Sequence, residues 1–291
     1  LMPPVVTGAI VMIIGLNLAP ITIKNVAGQP FELWMALITV LCMGVIAVFS
    51  QGLLQRLLLL LGLLMAYAIY VLATNGLGYG KAIDFSTIAA APWFGLPHFT
   101  EPAFELNAML IIAPVALILV AENLGHIKAV SAMTCENLTP QLGKAFVADG
   151  LATTLSGSVG APGMTTYGEN IGVMAVTQVY STIIFVIAGL FAICLGLSPK
   201  FGAVISTIPS AVLTGASIVV FGLITIAGAK IWIENKVDFS NNKNLMVASV
   251  TLILGAGNFE LLIGGFNLGG IGTATFAAIA LNVLFSLKDK N

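Results

Sequence analysis

Charge is what this sequence has least of. Of its 291 residues 11 are Lys or Arg and 12 are Asp or Glu, so 8% are charged and the net charge is −1. A soluble domain carries about 25% charged residues, and a chain with a third of that cannot coat a globular surface. It is also too long to be a single buried core. The balance of signs leaves no basic face for nucleic acid. Cysteine is scarce too: Cys42, Cys135 and Cys194 stand far apart in no CxxC or His-flanked pattern, which excludes a zinc site or a disulfide framework. They read as small apolar fillers. No charged n-region precedes the first apolar run, so no secretory signal is read there. The start at Leu1 rather than Met raises the expectation that sequence is missing in front.

What is present in excess is apolar: 58% hydrophobic residues and 31 glycines, with a mean hydropathy of +1.05. Runs of about 20 apolar residues match the hydrocarbon thickness of a bilayer, glycine is tolerated in such helices, and disorder is excluded at this hydrophobicity. The expected fold class is therefore an all-α polytopic membrane protein. Ten segments are expected, over residues 2–21, 33–49, 53–74, 104–126, 145–158, 165–177, 179–197, 208–229, 245–258 and 268–287. Between the fifth and sixth, Ser156-Gly-Ser-Val-Gly-Ala-Pro-Gly163 holds four Gly or Pro breakers. These predict a discontinuous segment, with helix, extended stretch or short strand, and a second helix beginning near Tyr167.

Basic residues sort by side. Arg56, Lys128, Lys144, Lys230, Lys236, Lys243, Lys288 and Lys290 fall on the side of the C-terminus, against Lys24, Lys81 and Lys200 on the other. Eight against three predicts a cytoplasmic C-terminus. The loop 75–103 then lies outside, with Pro92-Trp-Phe-Gly-Leu-Pro97 as an interfacial aromatic patch. An internal repeat is also visible: Thr7-Gly-Ala-Ile-Val-Met-Ile-Ile-Gly-Leu16 aligns with Thr214-Gly-Ala-Ser-Ile-Val-Val-Phe-Gly-Leu223, each after a proline, Pro4 or Pro209. The copies are the first and eighth spans, so they cross in opposite senses, as in the inverted seven-span repeats of many secondary transporters. The first unit has only three spans, which leads to the expectation that four N-terminal spans of about fourteen are absent.

Three carboxylates fall within spans, where an unpartnered charge is expensive and function is the default reading. Glu122 follows sixteen uncharged residues, and His126 comes one turn later on the same face. Such a pair can share a proton. Glu169, in Thr165-Thr-Tyr-Gly-Glu-Asn-Ile-Gly172, stands where the interrupted helix restarts. Free N–H groups there can donate to a substrate carbonyl while the carboxylate accepts from a substrate N–H. Asp149 lies a third of the way into the preceding span and could bind neighbouring backbone or couple to a cation. An intramembrane enzyme is not expected, because Ser156-Gly-Ser-Val-Gly160 does not fit a Gly-x-Ser-Gly nucleophile and Asp149 lacks an aspartate partner.

Ala121-Glu-Asn-Leu-Gly-His126 and Thr166-Tyr-Gly-Glu-Asn-Ile-Gly-Val-Met-Ala175 together resemble the nucleobase–ascorbate transporter family, in particular its bacterial uracil or pyrimidine permease branch. The family signature reads here Glu169, Asn170, Gly172 and Thr177, then departs at Gln178, where a basic residue or Gly is usual. The resemblance implies a fourteen-span fold of two inverted repeats. Residues 1–74 and 201–291 would be gate-domain spans, 75–103 an extracytoplasmic loop, and 104–200 the second half of the core domain. It implies substrate contacts at Glu122, Glu169, Gly168 and Tyr167, and proton coupling or site support from His126, Asn170 and Asp149. It further implies proton-coupled import of uracil or a related pyrimidine across the inner membrane by alternating access, with no cofactor and a homodimer through the gate. The alternatives are a same-fold carrier of purines or another small solute, or an inactive fragment of such a permease.

Overall fold

The computed structural model describes residues 3–167, 170, 171, 174, 178–263, 266, 267 and 269–288. They are helical nearly throughout; the strands described are one two-residue antiparallel pair, Leu262–Ile263 with Phe266–Asn267. Among the described residues five helices are long and apolar enough to cross a membrane: Pro4–Lys24, Pro30–Phe49, Leu58–Gly76, Ser210–Glu234 and Gly269–Leu287. The 29-residue helix Leu106–Thr134 is about 43 Å long at 1.5 Å per residue. The Leu58–Val71 run, LLLLGLLMAYAIYV, is apolar on every side, as a lipid-facing span must be.

Several boundaries differ from the sequence expectation, each for a local reason. The run at 53–74 breaks into Leu53–Arg56 and Leu58–Val71, and a π turn extends it over Leu72–Gly76. Gly52 opens it at φ 62°, a left-handed value that glycine adopts freely. The run at 179–197 begins at Thr182, and its helix to Gly196 turns by 79° into Pro199–Ser206. There Ser198 caps the second helix, its hydroxyl accepting from Phe201 N at 3.4 Å, and Pro199 occupies the first turn. In the sixth expected segment residues 161–167 form neither helix nor strand, and Asn170 is its first described helical residue. Of the three expected fillers, Cys42 is buried, whereas Cys135 and Cys194 are exposed.

The chain divides into two compact units, Leu1–Lys24, Ala103–Gly125 and Ser217–Asn291 in one, Asn25–Pro102 and His126–Ala216 in the other. In the first, Val5, Val6, Ile10, Val247, Ala248 and Ala278 form the core beside Trp232, whose indole N–H donates to Val5 O at 3.0 Å. Close approach rests on glycine, since a Cβ on Gly15 would lie 2.2 Å from Phe221 O, and one on Gly8 2.3 Å from Trp232 Nε1. A polar chain runs through the same unit: Asn17 Nδ2 donates to Gly255 O at 2.7 Å and to Asn258 Oδ1 at 3.0 Å, and Asn258 Nδ2 donates to Glu260 Oε1 at 2.9 Å.

In the second unit Met35, Ala36, Cys42, Ala66, Tyr70, Ala211 and Val212 pack together. Gly62 lets the Leu58–Val71 helix meet Met43, and Gly215, the repeat partner of Gly8, lies against Ala36 O and Thr39. Gly222, the partner of Gly15, faces open space within 4 Å. Thus one of the two glycine pairs in the aligned segments is a contact glycine in both copies.

Because the obstacle at Gly15 is backbone, it cannot swing aside. Gly15→Val should destabilise the protein by about 1–3 kcal/mol, read as a lower unfolding temperature in detergent. Gly44→Ala, at a helical glycine with nothing within 4 Å, should match or slightly exceed wild type, and equal melting of Gly15→Val would contradict the packing.

Candidate functional site

The breakers at 156–163 do what their chemistry predicts. The Leu142–Ser158 helix ends with Val159 N donating to Ser156 O at 3.2 Å, Gly160 N to Gly157 O at 3.2 Å and Ala161 N to Ser156 O at 2.9 Å. Gly160 sits at φ 81°, and a Cβ there would also meet Thr100 Oγ1, so glycine is required twice over. Beyond it residues 161–167 form neither helix nor strand. Backbone in this state has no internal hydrogen bonds and must find partners elsewhere.

The Thr153 side chain supplies those of Met164. Thr153 Oγ1 donates to Met164 O at 2.9 Å and accepts from Met164 N at 3.1 Å, so one hydroxyl satisfies both backbone groups of that residue. Thr100 N donates to Val159 O at 3.4 Å. His126 Nδ1 and Thr166 Oγ1 are 2.7 Å apart, which joins the long Leu106–Thr134 helix to the end of this stretch. Tyr167 follows, exposed, and its carbonyl accepts from Asn170 N at 3.2 Å. The hydroxyl of Thr165 is buried with no hydrogen-bond partner among the described residues.

The expected site residues fall out as follows. His126 and Tyr167 are brought together through Thr166, and Asn170 is the first described residue of the restarted helix. Asp149 is half-buried on the Leu142–Ser158 helix. It lies one turn before Thr153, hence on the face that clamps Met164. Glu122 lies one turn before His126 on the same helix, and its side chain is outside the described residues, as are Glu169 and Gly168. Thr153 and Thr166 are the residues that sequence reasoning missed. Thr166 opens the second motif and could have been found there; Thr153, one threonine among many, carries no signal.

Gln178, where the signature departs, closes the segment with its N–H donating to Met174 O at 2.9 Å, and its φ is +56°. That is the left-handed region that a side chain adopts at a cost of about 1–2 kcal/mol and glycine adopts freely. The alternative Gly of the signature therefore fits the backbone, and Gln178 holds the same geometry with its side chain accepting from Tyr180 OH at 2.9 Å.

A polytopic helical protein with a discontinuous segment braced between helices belongs to the class of membrane transporters. Comparison agrees: the sequence profile described as the Permease family matches residues 1–264. The chain belongs to this family, the nucleobase–ascorbate transporters that its two motifs resemble. It is 65% identical over 288 residues to a protein of Escherichia coli strain K12 provisionally named as pyrimidine permease RutG, covering 99% of this chain and 65% of that one. It is 37% identical over 302 residues to the uracil permease of Paenibacillus larvae, covering 99% and 70%. The same identity holds over 297 residues to the uracil permease of E. coli K12, covering 99% and 68%. The chain thus spans about two thirds of the length of these relatives.

Two variants test the bracing. Thr153→Val keeps the shape and removes both bonds to Met164, so a stabilisation of about 1–3 kcal/mol should be lost, and deuterium should enter the 159–167 peptide faster; unchanged exchange would contradict the clamp. Gln178→Gly relieves the left-handed side chain and should leave the melting temperature unchanged or raise it, whereas a fall of several degrees would show that the Tyr180 contact outweighs the strain.

Proposed function

We propose that the protein of which this chain is the whole or a part imports uracil or a related pyrimidine nucleobase together with protons, by alternating access. The observation that carries this reading is the 2.7 Å contact between His126 and Thr166, which joins the two family motifs at a stretch that is neither helix nor strand. Backbone outside a helix is suited to meet a ring bearing adjacent N–H and C=O groups. Glu122 and Glu169 are the acceptors for ring N–H donors, Gly168 and Tyr167 offer backbone and an aromatic face, and Asn170 supports the turn. His126 and Asp149 are the candidates for proton coupling, and the proton is the coupling species without any bound cofactor. An anion as cargo is disfavoured by the two carboxylates. The names of the relatives, two uracil permeases and one provisional pyrimidine permease, favour a pyrimidine over a purine.

The surrounding arrangement follows the same reading. The spans of residues 1–74 and 201–291 serve as gate and 104–200 as half of the core. Every residue of the Thr182–Gly196 helix is exposed, which supports a further partner for that helix. The gate forms a homodimer contact, and the C-terminus faces the cytoplasm in the inner membrane, with basic residues distributed eight to three.

Expressed from its complete coding sequence, Glu169→Gln should abolish uracil uptake into cells while membrane insertion stays normal. Normal uptake by that variant would overturn the assignment.

A further inference from the structure

A second built site lies away from the two motifs. A cavity of about 430 Å³ opens between the start of the Pro30–Phe49 helix, the end of the Leu58–Val71 helix, the loop after it and the 206–210 turn. Its volume is within the range of about 300–1,000 Å³ usual for small-molecule sites. Glu32 and Tyr70 line it, the phenol donating to Glu32 Oε1 at 2.9 Å. Glu32 Oε2 is buried and has no hydrogen-bond partner among the described residues. A buried carboxylate oxygen left unmade asks for a donor. Across the cavity stand Lys81 and Asp84, and Lys81 has no ion-pair partner among the described residues.

The walls are held in place. Asn75 Oδ1 accepts from Ile83 N at 2.9 Å while Asn75 Nδ2 donates to Ile83 O at 2.9 Å, which fixes the loop carrying Lys81 and Asp84. On the other side the Tyr67 and Thr207 hydroxyls are 2.8 Å apart. Hydrogen bonds from the Ser86 side chain and backbone hold the Asp84 carboxyl below its ordinary range, so it remains ionised. The lining therefore presents acceptors at Glu32 and Asp84 and a donor cation at Lys81. The two carboxylates disfavour an anion, and Lys81 offsets part of their attraction for a cation. A neutral ring with an N–H donor beside a C=O acceptor satisfies both sides.

We propose that this cavity is a second binding site for a neutral cyclic amide or imide, the chemical class of the transported nucleobase, with the Glu32 carboxylate accepting its N–H and Lys81 donating to its carbonyl. The inference rests on the pyrimidine-permease reading. Its test is equilibrium binding of radiolabelled uracil to the purified protein expressed from its complete coding sequence. Two sites per protomer are expected. Glu32→Gln and Lys81→Met should each weaken one of them at least tenfold and spare the other, and Glu169→Gln should do the reverse. A single site, lost in Glu169→Gln and unaffected by Lys81→Met, would overturn the second site alone. No uracil binding by the wild type would overturn the pyrimidine reading and this inference with it. Lys81 is exposed, so its variant carries the test should Glu32→Gln fail to fold.

Discussion

Backbone inside a membrane must hydrogen-bond within the protein, because lipid offers no partner. Helices meet this demand by themselves, and a non-helical stretch within a span cannot. The run 161–167 forms neither helix nor strand, so it draws partners from its surroundings. Gly160 makes the turn out of the helix, Thr153 completes Met164, the Ser156 carbonyl accepts from Ala161 N, and His126 hydrogen-bonds with Thr166. The same requirement makes the stretch useful, since backbone groups that secondary structure does not consume can serve a ligand. The buried hydroxyl of Thr165, which has no hydrogen-bond partner among the described residues, lies in the same stretch.

Elsewhere the helices solve a different problem. Helix association in lipid lacks the hydrophobic drive of water and relies on close packing and on hydrogen bonds between helices. Gly8, Gly15 and Gly255 supply close packing in one unit, Gly62 and Gly215 in the other. The Asn17–Asn258–Glu260 chain adds polar linkage, and Gly270 makes room for it, since a Cβ there would lie 2.4 Å from Asn258 Oδ1. These are rigid contacts made by small residues, the properties of a frame against which another element can move.

Much of this was legible in the sequence, for reasons that can be named. Long apolar runs reveal spans because the bilayer imposes their length, and four breakers in eight residues reveal an interruption because each removes helix stability. Glu122 and His126 were recognisable as i, i+4 neighbours. The 79° turn at Ser198–Pro199 was not, since two polar or helix-breaking residues at a span end read equally well as an ordinary loop. Glu32 was passed over because a carboxylate at a span end is normally solvated, and only the fold brings Tyr70, 38 residues away, onto it. Bracing by Thr153 was invisible for the same reason: the contact to Met164 depends on how the chain folds back after Gly160.

The central claim is that the braced stretch ending at Tyr167 is where the nucleobase binds. Anomalous scattering from 5-bromouracil bound to the crystallised protein, expressed from its complete coding sequence, would test it most directly. The account predicts the strongest bromine peak beside Tyr167 and the carboxylates of Glu122 and Glu169. Saturating ligand with no peak at that stretch, and bromine only elsewhere in the molecule, would contradict it.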